Sequence, residues 1–575
     1  MEPGDFMEKQ QNSPGEQENS EIFCSLKEIL LVRGEKYMKK RILPVCLAVA
    51  VALGLTACSS STAESGTTAQ AGSESTEAGA QTAGEQTDGD GSGEASNAGK
   101  TDLVIATATE AVTLDPQGGW DGASLYVLRQ LYNGLVKLDN NMEVVGDLAE
   151  SWEFTSDTSV TFHLKQGVKF HNGEEMTAED VVYSIERAQN SAKVMTFAAN
   201  IESVVADDDY TVTINTTIPY APLMSNLCHT ACSIVSKTAA EEEGDNFSTA
   251  PVGTGPFKFV EWVSGDRIVL ERNEDYFASE VLPSTLTFKL MSEDSSRTIA
   301  LETGEADMNL VVAATDAERI ESSEDVELVV SMSPKIQYVS MNQKVEPFNN
   351  KLVRQAINYA IDRDAINLVS TNGYGVVTDS VMNNQIKGYT DDVTHYEYNP
   401  EKAKELLAEA GYPDGFSTSI LVYGNARSTE AQLIQGNLSE VGITLDITTM
   451  ESTALLEQIN NGDYEMFIMS YNNTTGDPDT SLYMLFNSTV PASSGNRSFT
   501  NIPEVDEKLE AARLETNETA RMELYAEVQQ ILTEEAVWVP LYCVPNLVGV
   551  RSGLEGFTPH PLGNDVYDQL HYAAE

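Results

Sequence analysis

Between Ser59 and Gly99 the chain offers nothing to bury: the stretch is built of small residues, polar residues and acids, with no aromatic, no Lys and no Arg. Such a segment cannot offset the entropy of ordering by removing apolar surface from water, so it reads as a flexible tether. As a coil of some forty residues its typical reach is roughly 35 Å. Asp88-Gly-Asp90-Gly-Ser92-Gly93 imitates the start of a calcium loop, but Gly99 stands where the bidentate Glu is needed, so it too reads as linker. Any folded core must come from beyond about residue 100. The roughly 475 residues left correspond to two to four domains at about 100–200 residues each.

Upstream of the tether, Met38-Lys39-Lys40-Arg41 is a compact positive cluster, and Ile42 to Leu55 is apolar apart from small residues. That is the layout of a secretory signal. The apolar run, about 14 residues, is short of the roughly 20 that cross a bilayer. Leu55-Thr56-Ala57-Cys58 resembles the lipobox of bacterial lipoproteins, which implies cleavage before Cys58 and a lipid on it. Residues 1–37 are polar and unpatterned, as expected of an extension ahead of a start at Met38. The expected order is therefore extension 1–37, signal peptide 38–57 and tether 58–100. The folded part is then anchored by lipid at the outer face of the cell membrane, or is periplasmic.

Acids outnumber bases 89 to 35, for a net charge of −54. A surface this acidic repels nucleic acid and anionic lipid, so no nucleic-acid partner is expected. With Cys24 and Cys46 ahead of the cleavage site and Cys58 lipidated, only Cys228, Cys232 and Cys543 remain, which is not a disulfide framework.

Strand and helix signals are mixed along the rest of the chain. Val160, Phe162 and Leu164 alternate with Thr161, His163 and Lys165, predicting a half-buried strand that Gln166-Gly167 turns into a hairpin with Val168-Lys-Phe170. Thr177-Ala-Glu-Asp180 predicts a capped helix with Val181, Val182 and Ile185 inward. Tyr210–Ile214 and Arg267–Leu270 read as strands. The run "APLMSNLCHTACSIVS" reads as a buried helix. Asn350 opens a helix with Val353, Ala356, Ile357, Ala360 and Ile361 on one face. Asn399-Pro400 opens another, and Gly411 closes it. Further helices are expected across 431–441, 503–514 and 518–534, and strands at Ile443–Ile447 and Phe467–Met469. The alternation predicts an α/β architecture.

Six blocks carry a more specific resemblance. They are "LDPQGGWDGASLYVLRQLYNGLV" from Leu114, "LAESWEFTSDTSVTFHLKQGVKFHNGEEMTAEDVVYSIERA" from Leu148 and "GTGPFKFVEWVSGDRIVLERNEDYF" from Gly253, then "PFNNKLVRQAINYAIDRDAI" from Pro347, "NPEKAKELLAEAGYPDGF" from Asn399 and "GDPDTSLYMLF" from Gly476. With these blocks in this order, the chain resembles the family 5 extracytoplasmic solute-binding proteins, the oligopeptide-, dipeptide- and nickel-binding components of ABC importers. The resemblance runs from about Leu103 to Tyr572. It implies a two-lobed type II periplasmic-binding-protein fold, with lobe I formed by 101–150, 251–335 and 540–575. An inserted subdomain then covers 151–250, lobe II covers 336–539, and the hinge lies near Gln337–Met341 and Val539–Tyr542. It also implies a monomer that captures di- or oligopeptides and hands them to ABC permease subunits, with no cofactor and no catalysis. Alternatives on the same fold are nickel or a metal chelate, a sugar or another small solute, or a surface receptor that feeds no permease.

Peptide-binding members carry an Asp three residues before the Asp-Pro of a "D-x-G-D-P" block, where it pairs with the peptide's α-amino group. Here the block reads Tyr471-Asn472-Asn473-Thr474-Thr475-Gly476-Asp477-Pro478, and Thr474 stands at that position. A neutral hydroxyl cannot make the charge-assisted pair that fixes an ammonium. By position, the other expected ligand contacts are Trp120 and Asp121 before a first-lobe helix, and Tyr423, Asn425 and Arg427 after a second-lobe strand. In the last group a cation could take a carboxylate. Tyr471, Asn472, Asn473 and Asp477 complete the set. Asp477 equally suits a cap ahead of Pro478, while Trp120 and Arg427 equally suit structural places. Asn342 and Arg354 are expected to brace lobe II.

No Gly-x-Ser-x-Gly, His-Glu-x-x-His or Walker-type loop occurs, and six histidines are scattered. Cys228-His229-x-x-Cys232 has soft-metal ligand types, but its apolar setting favours core packing or a local disulfide.

Overall fold

The computed structural model describes residues 99–573. The expected signal segment, Cys58 and the tether lie outside the described residues.

Two long strands, Val326–Met341 and Trp538–Arg551, organise the rest. They run antiparallel to one another, regular from Val326↔Arg551 to Met332↔Pro545 and resuming at Ile336↔Cys543. A second shift falls between Gln337 and Tyr338, where Pro540 stands opposite. Pro334, Pro540 and Pro545 have no N–H to give to a ladder, which accounts for the position of both irregularities. Beyond Trp538–Arg551 the 11-stranded sheet continues through Met308–Asn309, Asp102–Thr107, Thr285–Leu290, Arg267–Arg272 and Phe257–Val263. Beyond Val326–Met341 it continues through Met466–Asn472, Ser417–Val422 and Thr444–Thr449. Each direction builds one lobe. The segments expected as hinge, Gln337–Met341 and Val539–Tyr542, pair with one another, and Gln337–Met341 also pairs with Met466–Ser470. The main break in register lies just before them.

The second-lobe strands are apolar on both faces, as a sheet covered on both sides requires. Val339, Met341, Ile420, Val422, Met466 and Ile468 pack under the helices Lys351–Ala360, Pro400–Glu409 and Gly424–Glu440. Tyr338, Leu421, Phe467 and Trp538 face Pro478–Phe486, Pro503–Leu514 and Glu518–Glu534. Asn342 braces the lobe by donating to the Gly462 and Tyr464 carbonyls, and Arg354 does so through the Glu535 and Phe348 carbonyls.

A separate four-stranded antiparallel sheet orders Ala149–Ser156, Ser159–Leu164, Thr211–Thr216 and Ile201–Asp208. It shares a core with the helix Ala178–Asn190, in which Val160, Phe162, Val181, Ile185 and Ile214 are fully buried. The Asp180 carboxylate accepts from the Thr177 N–H at 2.9 Å, closing the predicted cap. The predicted hairpin is not there. Ser159–Leu164 pairs with Ala149–Ser156 and Thr211–Thr216, while Lys169 makes only an isolated bridge to Glu175. Val168 and Phe170 enter the core instead. The expected buried helix is also broken, into Leu223–Leu227 and a turn of 3₁₀ helix at Thr230–Cys232. His229 causes the break: its backbone is extended and its Nδ1 accepts from the Ala231 N–H. Cys228, Cys232 and Cys543 are free thiols.

Candidate functional site

The edge of the second lobe presents a cationic face. Lys335 lies opposite Asn472, and Gln337 opposite Ser470, in the ladder between Val326–Met341 and Met466–Asn472. Directly opposed side chains share a face, so Lys335, Asn472 and Ser470 stand together. The helix Gly424–Glu440 starts directly after the strand Ser417–Val422 and brings Arg427 over them. Arg427 Nη2 donates to Ser470 Oγ at 3.2 Å, and its guanidinium lies 4.0 Å above the Tyr423 ring. Its Nε and the Oδ1 of Asn472 are buried without a hydrogen-bond partner among the described residues. Lys335 keeps access to water yet is hemmed in by protein. Desolvation, and then the Arg427 charge, hold its pKa below the usual lysine range. Neither cation has an acidic partner among the described residues. The neighbouring carboxylate of Glu430 is held by Gln337 Nε2 at 2.6 Å and Tyr542 Oη at 2.5 Å.

Of the residues expected to contact solute, Tyr423, Arg427 and Asn472 are thus brought together, with Asn425 exposed in the first turn of the same helix. Lys335 and Ser470 join them without having been singled out. The signal for Lys335 was that it is the one cation in the strand Val326–Met341. Tyr471 points to the other face, where its hydroxyl donates to the Thr480 carbonyl at 2.6 Å and its ring packs on the second core.

Asn473 and Asp477 have their polar groups engaged within the protein. Asn473 Nδ2 donates to the Asp477 carbonyl and Ser481 Oγ, and its Oδ1 accepts from Thr475 and Gly476 N–H. Gly476 adopts a left-handed φ of 72° to make that turn. Asp477 caps the helix Pro478–Phe486 through Asp479 N–H and receives both Arg521 Nη atoms at 2.5 and 2.8 Å. Burial alone would raise its pKa, but the charge and hydrogen bonds of Arg521 outweigh that and lower it. Thr474 is buried between these residues.

On the first-lobe side, Asp121 caps the helix Gly122–Leu131 by accepting from Ser124 N–H at 2.9 Å. Trp120 remains 43 % exposed, edge-on to Phe197 at 5.9 Å and to His229 at 6.3 Å, while Phe197 and His229 stack at 3.7 Å. Because His229 Nδ1 accepts, its Nε2 carries the proton, and it is buried without a partner among the described residues. Burial, and secondarily Arg129, push the His229 pKa down to about 3.

The lobes touch. Ser225 Oγ donates to Asp477 Oδ2 at 3.0 Å, and Ala221 N–H donates to the Arg513 carbonyl at 2.9 Å. Met142, Leu138 and Leu562 close over Gly476 so tightly that a Cβ there would stand 2.5 Å from the Met142 methyl. These contacts join the segment carrying Ala221 and Ser225 to the one carrying Asp477 and Arg513.

A family model described as "Bacterial extracellular solute-binding proteins, family 5 Middle" matches residues 143–493. The glutathione-binding protein GsiB of Pectobacterium atrosepticum is 32% identical over 475 residues, covering 80% of this chain and 92% of that protein. The solved structure of the periplasmic binding protein DppA from Helicobacter pylori, in complex with the peptide STSA, superposes with a TM-score of 0.75 at 30% identity, covering 83% of this chain and 99% of that one. The oligopeptide-binding protein AppA from Bacillus subtilis, in complex with a nonapeptide, gives 0.71 at 28% identity, covering 82% and 99%.

Proposed function

Because this chain belongs to the family 5 bacterial extracellular solute-binding proteins, we propose that it captures short peptides between its lobes and delivers them to an ABC import permease. Closure expels water from the cleft, and a ligand shifts the open–closed balance only by its differential affinity for the closed form. No covalent step is needed. The observation that carries this reading is Arg427, whose guanidinium is braced by Ser470 and Tyr423 but keeps a buried, unpartnered Nε. A planar cation so held suits a peptide carboxylate, which it can engage through two parallel hydrogen bonds. The peptides named with the related DppA and AppA structures, and the glutathione of the GsiB relative, support the same class of ligand.

In this reading lobe I comprises 101–150, 251–335 and 540–575, the inserted subdomain 151–250 and lobe II 336–539. The lobes pivot where the paired strands lose register, at Met332–Ile336 and Cys543–Pro545. A lipid on Cys58 and the tether after it hold the clamp near the permease at high effective concentration.

The test is a thermal-shift screen of the purified protein against short peptides, metal chelates and sugars. A ligand at 100 times its Kd stabilises by about 2.7 kcal/mol. Melting curves unmoved by peptides but moved by another solute class would overturn the peptide assignment. Cys58→Ala is expected to move the protein from the membrane to the soluble fraction; continued membrane association would refute the anchor.

A further inference from the structure

The cationic face of the second lobe sets two basic side chains side by side with no acid paired to either among the described residues. Acids outnumber bases 89 to 35 in this chain, and many of its basic side chains pair with them. Arg521 is paired with Asp477, Arg513 with Asp479, Arg187 with Asp115, and Lys351 with both Glu534 and Glu535. Lys335 and Arg427 have no acidic partner among the described residues, although they share one face. Their anchor points, opposite Asn472 and beside Ser470, are two residues apart on one strand, or about 7 Å. Two like charges held this close disfavour each other. The arrangement becomes favourable when anionic groups lie between them.

The acids around this face are already engaged: Glu430 by Gln337 and Tyr542, Asp477 by Arg521, and Asp479 by Arg513. Thr474 supplies no charge. Among the described residues, this face therefore offers two positive charges and no neighbouring carboxylate left over for a ligand's ammonium.

Resting on the solute-capture reading above, we infer that the ligand of this cleft carries two carboxylates, received by Lys335 and Arg427, and that its amino group is not read by an acid of the second lobe. The substrate class is an acidic dipeptide or short peptide with a second carboxylate near its C-terminus. Lys335 is the residue that distinguishes it from a neutral peptide.

The experiment is calorimetric titration of the full purified chain with Ala-Glu, Ala-Gln, N-acetyl-Ala-Glu and glutarate, repeated with Lys335→Met and Lys335→Arg. A hydrogen bond to a charged group corresponds to about a 10- to 150-fold change in affinity. Ala-Glu is expected to bind tighter than Ala-Gln by a factor in that range, and N-acetyl-Ala-Glu within a few-fold of Ala-Glu. Lys335→Met is expected to abolish the preference for Ala-Glu over Ala-Gln, with the melting temperature measured alongside, and Lys335→Arg to restore that preference. If the dipeptides bind without preference, or the preference survives Lys335→Met, this inference falls and peptide capture stands. If N-acetylation abolishes binding, the statement about the amino group falls. If neither dipeptide binds but glutarate does, and does so through Lys335, peptide capture falls and the two-carboxylate inference stands. If none of the four binds, both fall.

Discussion

Replacing Arg521 with Met isolates the buried ion pair that anchors the Asn473–Asp477 turn. In the native protein the Asp477 carboxylate receives two Arg521 nitrogens, Asp479 N–H and Ser225 Oγ. Arg521 also donates to the Ala512 carbonyl and to Tyr525 Oη. The variant leaves a buried carboxylate with only its cap and one hydroxyl. Breaking a buried pair from one side costs about 3–5 kcal/mol. At about 2–4 °C per kcal/mol for a domain of 150–250 residues, the melting temperature should fall by roughly 6–20 °C. The sign of the pH dependence is also set. Asp477 has a lowered pKa in the native fold, so its contribution is present above the unfolded carboxylate value and is lost as pH falls through the folded one. Without Arg521, desolvation is unopposed and raises that pKa, so the variant recovers by protonating Asp477 as pH falls. The deficit measured by scanning calorimetry or urea unfolding should therefore be largest near pH 7 and shrink toward pH 4. Adding Asp477→Asn to Arg521→Met should remove part of it. A loss below about 1 kcal/mol at pH 7, or a deficit that does not change with pH, would refute the reasoning.

Two other predictions concern the lobe contacts and the first-lobe side. Gly476→Ala places a Cβ at a left-handed φ and against Met142, Leu138 and Leu562; small-angle scattering is expected to show a population shifted to the open form, and an unchanged profile would contradict it. His229 is neutral in the fold, with a pKa near 3 against about 6.5 unfolded. As pH falls from 6.5, only the unfolded chain takes up that proton, so stability should drop by up to about 1.4 kcal/mol per pH unit. His229→Gln should flatten that component of the melting profile between pH 6.5 and 4.

Where local pattern and packing agree, the elements were legible before the structure. The stripe Val353, Ala356, Ile357 and Ala360 with its Asn350 cap forms the helix Lys351–Ala360, and Asn399-Pro400 starts the helix Pro400–Glu409. The helix expected from 431 instead begins at Gly424, because Gly424, Asn425, Ser428 and Thr429 are weak helix formers and no side chain caps its start. That displacement is what carries Asn425 and Arg427 onto a helix. Pairing was the harder part: the partner of Ser159–Leu164 is Thr211–Thr216, with more than forty residues between them. The binding face was half legible. Arg427, Tyr423 and Asn472 could be placed by position, but the engagement of Asp477 depends on Arg521, 44 residues further on. The side to which Tyr471 points follows from a ladder that no local pattern encodes.

The strand Trp538–Arg551 comes near the end of the chain yet lies in the middle of the sheet, touching both halves. Synthesis therefore delivers the keystone last. Until it emerges, Met308–Asn309 has only Asp102–Thr107 beside it and Val326–Met341 is bordered on one side only. A chain ending before Trp538 leaves both lobes unfinished, so one strand couples their completion.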